Sequence, residues 1–330
     1  MVASFITNSR LEVDLLRGGC FEASHERVLL GDSALDVASM NVPILTRGGW
    51  GPDRLHFGFT LAGRGGSMLG QTVIPGSVRV FAEGHEVDYR TAPEVTLGGF
   101  QVTREEVERA AVAHLGRPVP IPRTGWLNFL PTDGVPLLAR RIRSTLAVAS
   151  QTPSGLSSCV ARVLHEQLLR AFIDALAAGL RLSALGQQQN SLTRSVLTQR
   201  ARDYLFANLD QPFSLRALSE AACCSERVLQ YAFREVYGVG PQGWFRAMKL
   251  NEANRELRAR GPGEVVRVTD VALRWGFTHF GRFSVEYRRM FGERPSETLK
   301  RASRTGKTKE KATVEAYRAS RAAQAVSEIA

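Results

Sequence analysis

Four polar residues at helical spacing, Arg227, Gln230, Tyr231 and Arg234, have side chains suited to contact nucleic acid. An arginine can pair bidentately with guanine and a glutamine with adenine, and each such pair discriminates by about 1 to 3 kcal/mol. The helix predicted over ERVLQYAFREV turns these side chains outward. Its opposite, apolar face consists of Leu229, Ala232, Phe233 and Val236. The pattern indicates a helix that could read base edges and grip phosphates.

This helix belongs to a unit that occurs twice, 54 positions apart, in residues 213–241 and 267–295. Ser214 and Ser225 are predicted N-caps of two short helices in the first copy, and Thr269 caps the first helix of the second. Two short helices joined by a tight turn are typical of a helix-turn-helix, with a plain helical hairpin as the alternative. The spacing is kept in five residue pairs: Leu229 and Phe283, Phe233 and Tyr287, Tyr237 and Phe291, Gly238 and Gly292, and Pro241 and Pro295.

The second copy carries fewer base-reading side chains on its outward face. That face is predicted to hold Gly281, Arg282, Ser284, Val285, Arg288 and Arg289. Arginines without neighbouring amide side chains suit phosphate contacts better than base recognition. We therefore expect this helix to contribute phosphate contacts more than base recognition.

Charge is concentrated with the repeat. Residues 200–309 contain 21 Lys and Arg against 12 Asp and Glu, whereas residues 1–199 contain 19 against 17. A solvated basic face is common and would be weak support alone, but with a paired motif it is the electrostatic pattern of a nucleic-acid-binding domain. Affinity for DNA should then fall steeply as salt rises.

Residues 213–299 resemble the tandem helix-turn-helix domain of the AraC/XylS family of bacterial transcription regulators. The resemblance rests on LSEAACCSERVLQYAFREVYGVGPQGWFRAMKLNEANREL and VTDVALRWGFTHFGRFSVEYRRMFGERPSETL. The stretch WGFTHFGRFSVEY is similar to the branch that contains the ethanolamine-operon activator. The resemblance implies two helical lobes joined by a long helix at about residues 241–258, with both reading helices in neighbouring major grooves of double-stranded DNA.

The resemblance also assigns roles residue by residue. Tyr231 and Val285 stand where the family often has arginine, which leaves the bases that are read open. Expected base contacts are Arg227, Gln230, Tyr231, Gly281, Ser284 and Val285, and expected phosphate or flanking contacts are Ser225, Arg234, His279, Arg282 and Arg288.

The predicted joining helix has its own amphipathic pattern. Its inward residues are predicted to be Phe245, Met248, Ala253 and Leu257, and its solvated residues Arg246, Lys249, Arg255 and Arg258. A rigid helix here would fix the distance between the two lobes.

The remaining chain predicts an α+β protein with an N-terminal antiparallel β domain and a C-terminal all-α tandem helix-turn-helix domain. Short alternating runs bounded by glycine and proline indicate a cupin-like β barrel or sandwich over about residues 1–130. Helices follow at about 137–185, either covering the barrel or forming a dimer seam. We expect residues 1–190 to sense an effector and dimerise, 191–300 to bind DNA, and 301–330 to form a basic, flexible tail.

The sequence shows no recognisable pattern of catalytic or metal-binding residues. His56, His85 and His114 are isolated, and the four cysteines, including vicinal Cys223 and Cys224, lack metal-binding spacing. We expect no metal, no cofactor and no enzymatic activity. Six aromatic residues could line a ligand cavity or form ordinary core: Trp50, Phe57, Phe59, Phe81, Phe100 and Trp126.

These observations predict a sequence-specific, DNA-binding transcription regulator, an activator of a catabolic operon that responds to a small-molecule effector. RNA polymerase is its expected protein partner, and a homodimer is one option. The alternatives are a DNA-targeted enzyme and a non-specific architectural protein. Without an apolar stretch near 20 residues or a signal-peptide core, the chain is expected to be cytoplasmic and not membrane-bound.

Overall fold

The computed structural model describes residues 10–19, 21–68, 71–129, 134–152, 155–183, 190–259 and 266–302. Two antiparallel sheets form the N-terminal part of these residues, and helices form the C-terminal part. This arrangement confirms the predicted α+β class and the order of its two parts.

The strands pair in an order different from their order along the chain. One sheet, sheet A, has the order β1-β4-β9-β6-β7, and the other, sheet B, has the order β11-β8-β5-β10-β3-β2. All of these neighbours are antiparallel. The strands are β1 (Arg10–Leu15), β2 (Ala23–Leu30), β3 (Ser33–Met40), β4 (Ile44–Gly49), β5 (Leu55–Ala62), β6 (Gly66–Met68), β7 (Gln71–Val73), β8 (Val78–Phe81), β9 (Glu86–Thr91), β10 (Val95–Val102) and β11 (Trp126–Phe129).

Helices cover sheet B and build the C-terminal part. They are α1 (Arg104–Leu115), α2 (Gly134–Ser150), α3 (Ser158–Ser183), α4 (Asn190–Ala207), α5 (Leu215–Ala221), α6 (Glu226–Tyr237), α7 (Pro241–Arg258), α8 (Val268–Arg274) and α9 (Phe280–Phe291). In the described part of the chain, none of them is both long and apolar enough to cross a membrane.

Strand periodicity divides sheet B into two apolar faces. In β8, Val78 and Val80 face the helices, whereas the alternating residues face the other sheet. On the helix side, Phe172 of α3 lies with its ring centroid 5.0 Å from Phe57 and 5.4 Å from Phe100. Helix α3 therefore covers the sheet, as one of the two predicted options required.

Two of the three predicted N-caps of the helix-turn-helix copies are confirmed. The hydroxyls of Ser214 and Ser225 accept hydrogen bonds from Ala217 N and Val228 N. Gly238 ends α6 in the left-handed region at φ 69°. The Thr269 cap was a wrong prediction, because Arg267 is the N-cap of α8 and makes no side-chain cap bond.

Helix α7 has the predicted bounds but one residue is placed differently. Lys249 was expected in solvent and is instead buried. Its ammonium donates a hydrogen bond to Gln211 O at 3.2 Å and lies 4.7 Å from the centroid of the Phe245 ring. A long stem packed on apolar surface with its charge held by a carbonyl explains the burial.

The helical part packs directly on sheet A. Leu15 N donates to the Asn251 Oδ1 atom at 3.1 Å, and Asn251 Nδ2 donates back to Leu15 O at 2.9 Å. Apolar side chains of β1 and β4 share one core cluster with Trp244, Met248 and other residues of α7. Helix α7 thus joins the two helix-turn-helix copies and also packs against the β domain. Residues 184–189, just before the predicted DNA-binding domain, and 303–330 of the predicted tail lie outside the described residues.

Candidate functional site

Helix α6 presents the first candidate reading surface. Leu229 and Phe233 are fully buried beneath it, which fixes the helix orientation. Arg227, Tyr231 and Arg234 are exposed and Gln230 is half-buried, so the predicted outward face is confirmed as exposed surface. The Arg227 guanidinium carbon lies 5.8 Å from the Tyr231 ring centroid, within the range of a cation–π contact.

Ser225 lies at the N-terminal end of that surface. Its hydroxyl oxygen accepts the capping hydrogen bond from Val228 N at 3.3 Å. The hydroxyl hydrogen is then available to donate, and the helix N-terminus favours negative charge. A phosphate contact by Ser225 is compatible with this geometry and stays a prediction.

Helix α9 presents the corresponding surface of the second copy. Phe283, Tyr287 and Met290 are buried beneath it. Gly281, Arg282, Val285 and Arg288 are exposed, and Ser284 is half-buried. His279 is the N-cap residue, exposed and without a side-chain cap bond. All eleven predicted contact residues therefore lie on α6, on α9 or at their N-caps, but the contacts themselves stay predictions.

The two candidate phosphate arginines of α9 differ in their partners. Arg282 donates to Glu286 at 2.9 Å, and Glu286 also pairs with Arg246 of α7. Burial raises the pKa of Glu286 while the hydrogen bonds from Arg246 and Arg282 lower it, leaving it below its ordinary value. Arg288 is exposed and forms no ion pair within the described residues. Arg288 is therefore the freer of the two for a phosphate.

A second candidate site is a cavity of about 110 Å³ between the two sheets. Its wall is mainly apolar, and strands of both sheets contribute to it. Of the six aromatic residues considered from the sequence, Trp50, Phe59 and Phe81 line it. Phe57 and Phe100 instead belong to the core between sheet B and its helices, and Trp126 packs at the edge of the β core.

Three polar side chains in this wall have an atom without a partner in the described part of the chain. Trp50 Nε1, His56 Nδ1 and an Arg79 terminal nitrogen are buried without a hydrogen-bond partner among the described residues. The Trp50 and His56 rings are stacked with centroids 3.6 Å apart. Buried polar atoms normally have partners, so a cluster of three unsatisfied ones marks a place where a ligand can supply them.

Burial sets the ionisation of this cluster. It lowers the pKa of His56 to about 3, with a further contribution from the positive charge of Arg79, so His56 is neutral at pH 7. Burial also lowers the pKa of Arg79, but a guanidinium stays protonated in proteins. Arg79 therefore places a fixed positive charge in the cavity wall.

The sequence reasoning missed Arg79, although a signal was present. Arg79 stands in the apolar run Val78-Arg79-Val80-Phe81, where alternation places it on the same face as Phe81. A charge in register with a buried aromatic residue could have indicated an inward-facing arginine. Which wall it would face depends on the strand order, and local pattern does not give that order.

Strand β1 links the cavity to the C-terminal helices. Leu11 and Val13 line the cavity. Asp14 is fully buried and pairs with Arg47 at 2.7 Å and with Arg255 of α7. One strand thus contacts both the cavity and the helix that joins the two helix-turn-helix copies.

Replacing Gly99 with alanine is expected to lower the free energy of unfolding by about 1 to 3 kcal/mol through overpacking. A Cβ atom at Gly99 would lie 2.2 Å from His56 Cε1, and the Trp50 stack blocks retreat of the ring. Gly49→Ala is the matched control, because a Cβ there meets nothing within 4 Å. Urea unfolding of both variants tests this, and equal midpoints would contradict it.

The vicinal cysteines stand in the turn before α6. Cys223 is exposed with φ 53°, and Cys224 is half-buried. Burial and the neighbouring Cys223 raise the pKa of Cys224, which disfavours its reactive thiolate form. Within the described residues no group of three or more His, Cys, Asp or Glu side chains is arranged to hold a metal ion.

Comparison with known proteins assigns residues 218–301 to a family described as a helix-turn-helix domain. The probable thc operon regulatory protein of Rhodococcus erythropolis is 29% identical over 163 residues, 48% of this chain and 49% of that protein. The XylDLEGF operon transcriptional activator 3 of Pseudomonas putida is 40% identical over 103 residues, 31% of each chain.

A solved structure of a probable AraC family transcriptional regulator from Rhodopseudomonas palustris CGA009 is 33% identical. The match covers 32% of this chain and 96% of that one, with a TM-score of 0.30. The chain spans about half the length of the thc relative and about a third of the xyl relative. The narrower similarity to the ethanolamine-operon branch stays a prediction. Residues 218–301 therefore form a helix-turn-helix domain of the AraC type, similar to those of operon transcription regulators.

Proposed function

We propose that this protein is a sequence-specific DNA-binding transcription regulator that activates a catabolic operon in response to a small-molecule effector. The observation that carries the proposal is the pair of helices α6 and α9, each with a buried aromatic face and an exposed polar face. Both faces stay exposed although the helical part packs on sheet A. A duplex could therefore reach them without separation of the two parts.

The proposal assigns roles along the chain. Residues 1–190 sense the effector and dimerise, residues 191–300 bind double-stranded DNA, and 301–330 add a basic tail. Helix α6 reads bases through Arg227, Gln230 and Tyr231. Helix α9 reads through Gly281, Ser284 and Val285 and holds phosphates more strongly than α6. RNA polymerase is the protein partner that an activator requires, and the protein acts in the cytoplasm as a non-enzymatic switch.

The cavity between the sheets is the proposed effector site. Two features support this: unsatisfied polar atoms in an apolar wall, and the contact of β1 with both the cavity and α7. A ligand that shifts β1 would alter the packing of α7. Because α7 joins the two helix-turn-helix copies, their relative position would change as well. Transmission requires that the ligand bind one arrangement of this interface better than another.

Arg227→Ala is expected to lose about 1 to 3 kcal/mol of discrimination, concentrated at one base pair of the operator. The operator can be obtained by selection from random duplexes, and affinities then measured by fluorescence anisotropy on the selected site and its single-base variants. Arg288→Ala should instead weaken all duplexes alike and reduce the salt slope by about one unit.

Arg170→Ala is the control, because it removes an exposed arginine from α3, remote in sequence from both reading helices. It should leave the selected site and the salt slope unchanged. Equal weakening of matched and unrelated duplexes by Arg227→Ala would reassign Arg227 to a phosphate. Equal affinity of the unaltered protein for selected and unrelated duplexes would overturn sequence-specific regulation.

A further inference from the structure

Arg79 is a buried cation for which the described part of the chain supplies no counter-ion. It lies on β8 facing the cavity, with only 4% of its surface exposed. The carboxylate that shares the cavity wall, Asp36, is already engaged. Arg27 donates to both of its oxygens at 2.7 and 2.9 Å, and His25 lies at 2.8 Å.

The other neighbours of Arg79 do not neutralise it. His56 is uncharged at pH 7 and adds no negative charge. The Tyr89 ring centroid lies 5.5 Å from the guanidinium carbon, and its hydroxyl donates to Gly65 O at 2.8 Å. Burial also raises the pKa of Tyr89 to about 12, so the phenol is neutral. A buried charge without a partner is costly, and a bound anion would offset that cost.

The unsatisfied atoms around the cavity specify the polarity of the ligand head group. The Trp50 indole nitrogen and the Arg79 guanidinium can only donate hydrogen bonds, and the His56 ring nitrogen donates or accepts according to its tautomer. Donors of this kind require an acceptor. A carboxylate accepts from several donors at once and matches the planar fork of a guanidinium.

The rest of the wall specifies the body of the ligand. Leu11, Ile44, Met68, Val87 and Leu97 face the cavity with apolar side chains. Its volume of about 110 Å³ is similar in order to the cavity of about 150 Å³ that holds one benzene molecule. An inorganic anion would leave this apolar surface uncovered, whereas a body of about one six-membered ring or a short alkyl chain would cover it.

We propose that the cavity binds a small organic monocarboxylate, with the carboxylate held by Arg79 and Trp50 and the apolar body placed among the aliphatic side chains of the two sheets. This inference deepens the proposed function, since it gives the chemical class of the effector. His56 is a positioning residue, because its stack with Trp50 orients the indole N–H.

The test pairs acids with neutral analogues of the same shape. Phenylacetate, cyclohexanecarboxylate and hexanoate are titrated into the full chain at pH 7, each beside its primary amide and beside inorganic phosphate. Binding is followed by calorimetry and by quenching of tryptophan fluorescence. At least one carboxylate should bind at least tenfold more tightly than its amide, and phosphate should not bind.

Variants locate the site. Arg79→Met keeps much of the side-chain volume without the charge and should weaken carboxylate binding more than tenfold. Trp50→Phe keeps an aromatic ring without the donor and should weaken it several-fold. Arg170→Met, on the exposed surface of α3, should have no effect. If Arg79→Met does not fold, the comparison of acid with amide on the unaltered chain still decides.

Several results would overturn the inference: equal binding of amide and acid, binding by phosphate alone, no binding by any of the three acids at millimolar concentration, or binding that Arg79→Met leaves intact. Selective DNA binding is measured separately without any acid. Retained selectivity together with absent acid binding would refute the inference while leaving the regulator proposal in place.

Discussion

Replacing Asp14 with alanine is expected to destabilise the protein by about 3 kcal/mol, because it removes the fully buried carboxylate that two arginines share at the interface between β1 and α7. The arginines keep only the more exposed carboxylates of Glu12 and Glu252. Asp14 is fully buried and pairs with Arg47 and Arg255. Burial lowers the pKa of Arg255, but Asp14, Glu252 and Glu12 raise it, and the net shift is upward. Of these carboxylates, Asp14 has the largest effect. Urea unfolding gives the loss of stability directly.

Glu12→Ala is the matched control for that experiment. Glu12 is two residues away on the same strand and contacts the same arginines at 3.1 and 3.6 Å. Its side chain is 52% exposed, so solvent screens the pair and less than about 1 kcal/mol should be lost. Similar losses in the two variants would show that burial of the charge is not what stabilises the interface. In the Asp14 variant, DNA affinity should also become less responsive to the effector.

Phe283→Ala is expected to cost about 3 to 5 kcal/mol and to abolish DNA binding by the second lobe. Its ring is buried against Phe277, at a centroid distance of 4.9 Å, and against Tyr287, at 5.6 Å. Removing the ring leaves a cavity beneath α9 that neighbours cannot fill without shifting the helix. Urea unfolding and anisotropy on the selected duplex measure the two effects.

Phe280→Ala provides the comparison, because Phe280 begins the same helix and is 40% exposed. Its loss of stability should stay within about 0.5 kcal/mol. A Phe283 variant as stable as the Phe280 variant would mean that the aromatic cluster does not hold α9, and the proposed reading surface would lose its support.

Local signals explain why the helix-turn-helix copies could be located from the sequence. Ser214, Ser225 and Gly238 cap or end helices through contacts within a few residues, and such contacts leave a pattern in the sequence. Thr269 carries the same kind of signal but lies inside the first turn of α8, because the chain enters that helix two residues earlier at Arg267. Residue type alone does not fix such an entry point.

Features that depend on residues distant in the sequence could not be predicted from local sequence patterns. Lys249 is buried because Gln211, 38 residues away, offers a carbonyl to its ammonium. The cavity forms because β8 and β9, neighbours along the chain, belong to different sheets. Alternation within β8 indicates that Arg79 faces away from Val78, but only the sheet order shows that it faces Tyr89 and Trp50.

Under the proposed function, the position of β1 constrains how the protein could acquire a new effector. Leu11 and Val13 line the cavity, and the residue after each of them, Glu12 and Asp14, pairs with Arg255 of α7. We therefore expect substitutions at Leu11 or Val13 to affect both the cavity and these ion pairs. Among the described residues, the opposite wall at Gly58 and Arg79 belongs to strands β5 and β8, which pack on the helices that cover sheet B. We therefore expect substitutions that change effector specificity to accumulate in the sheet B wall of the cavity. The residues of β1 should change more slowly.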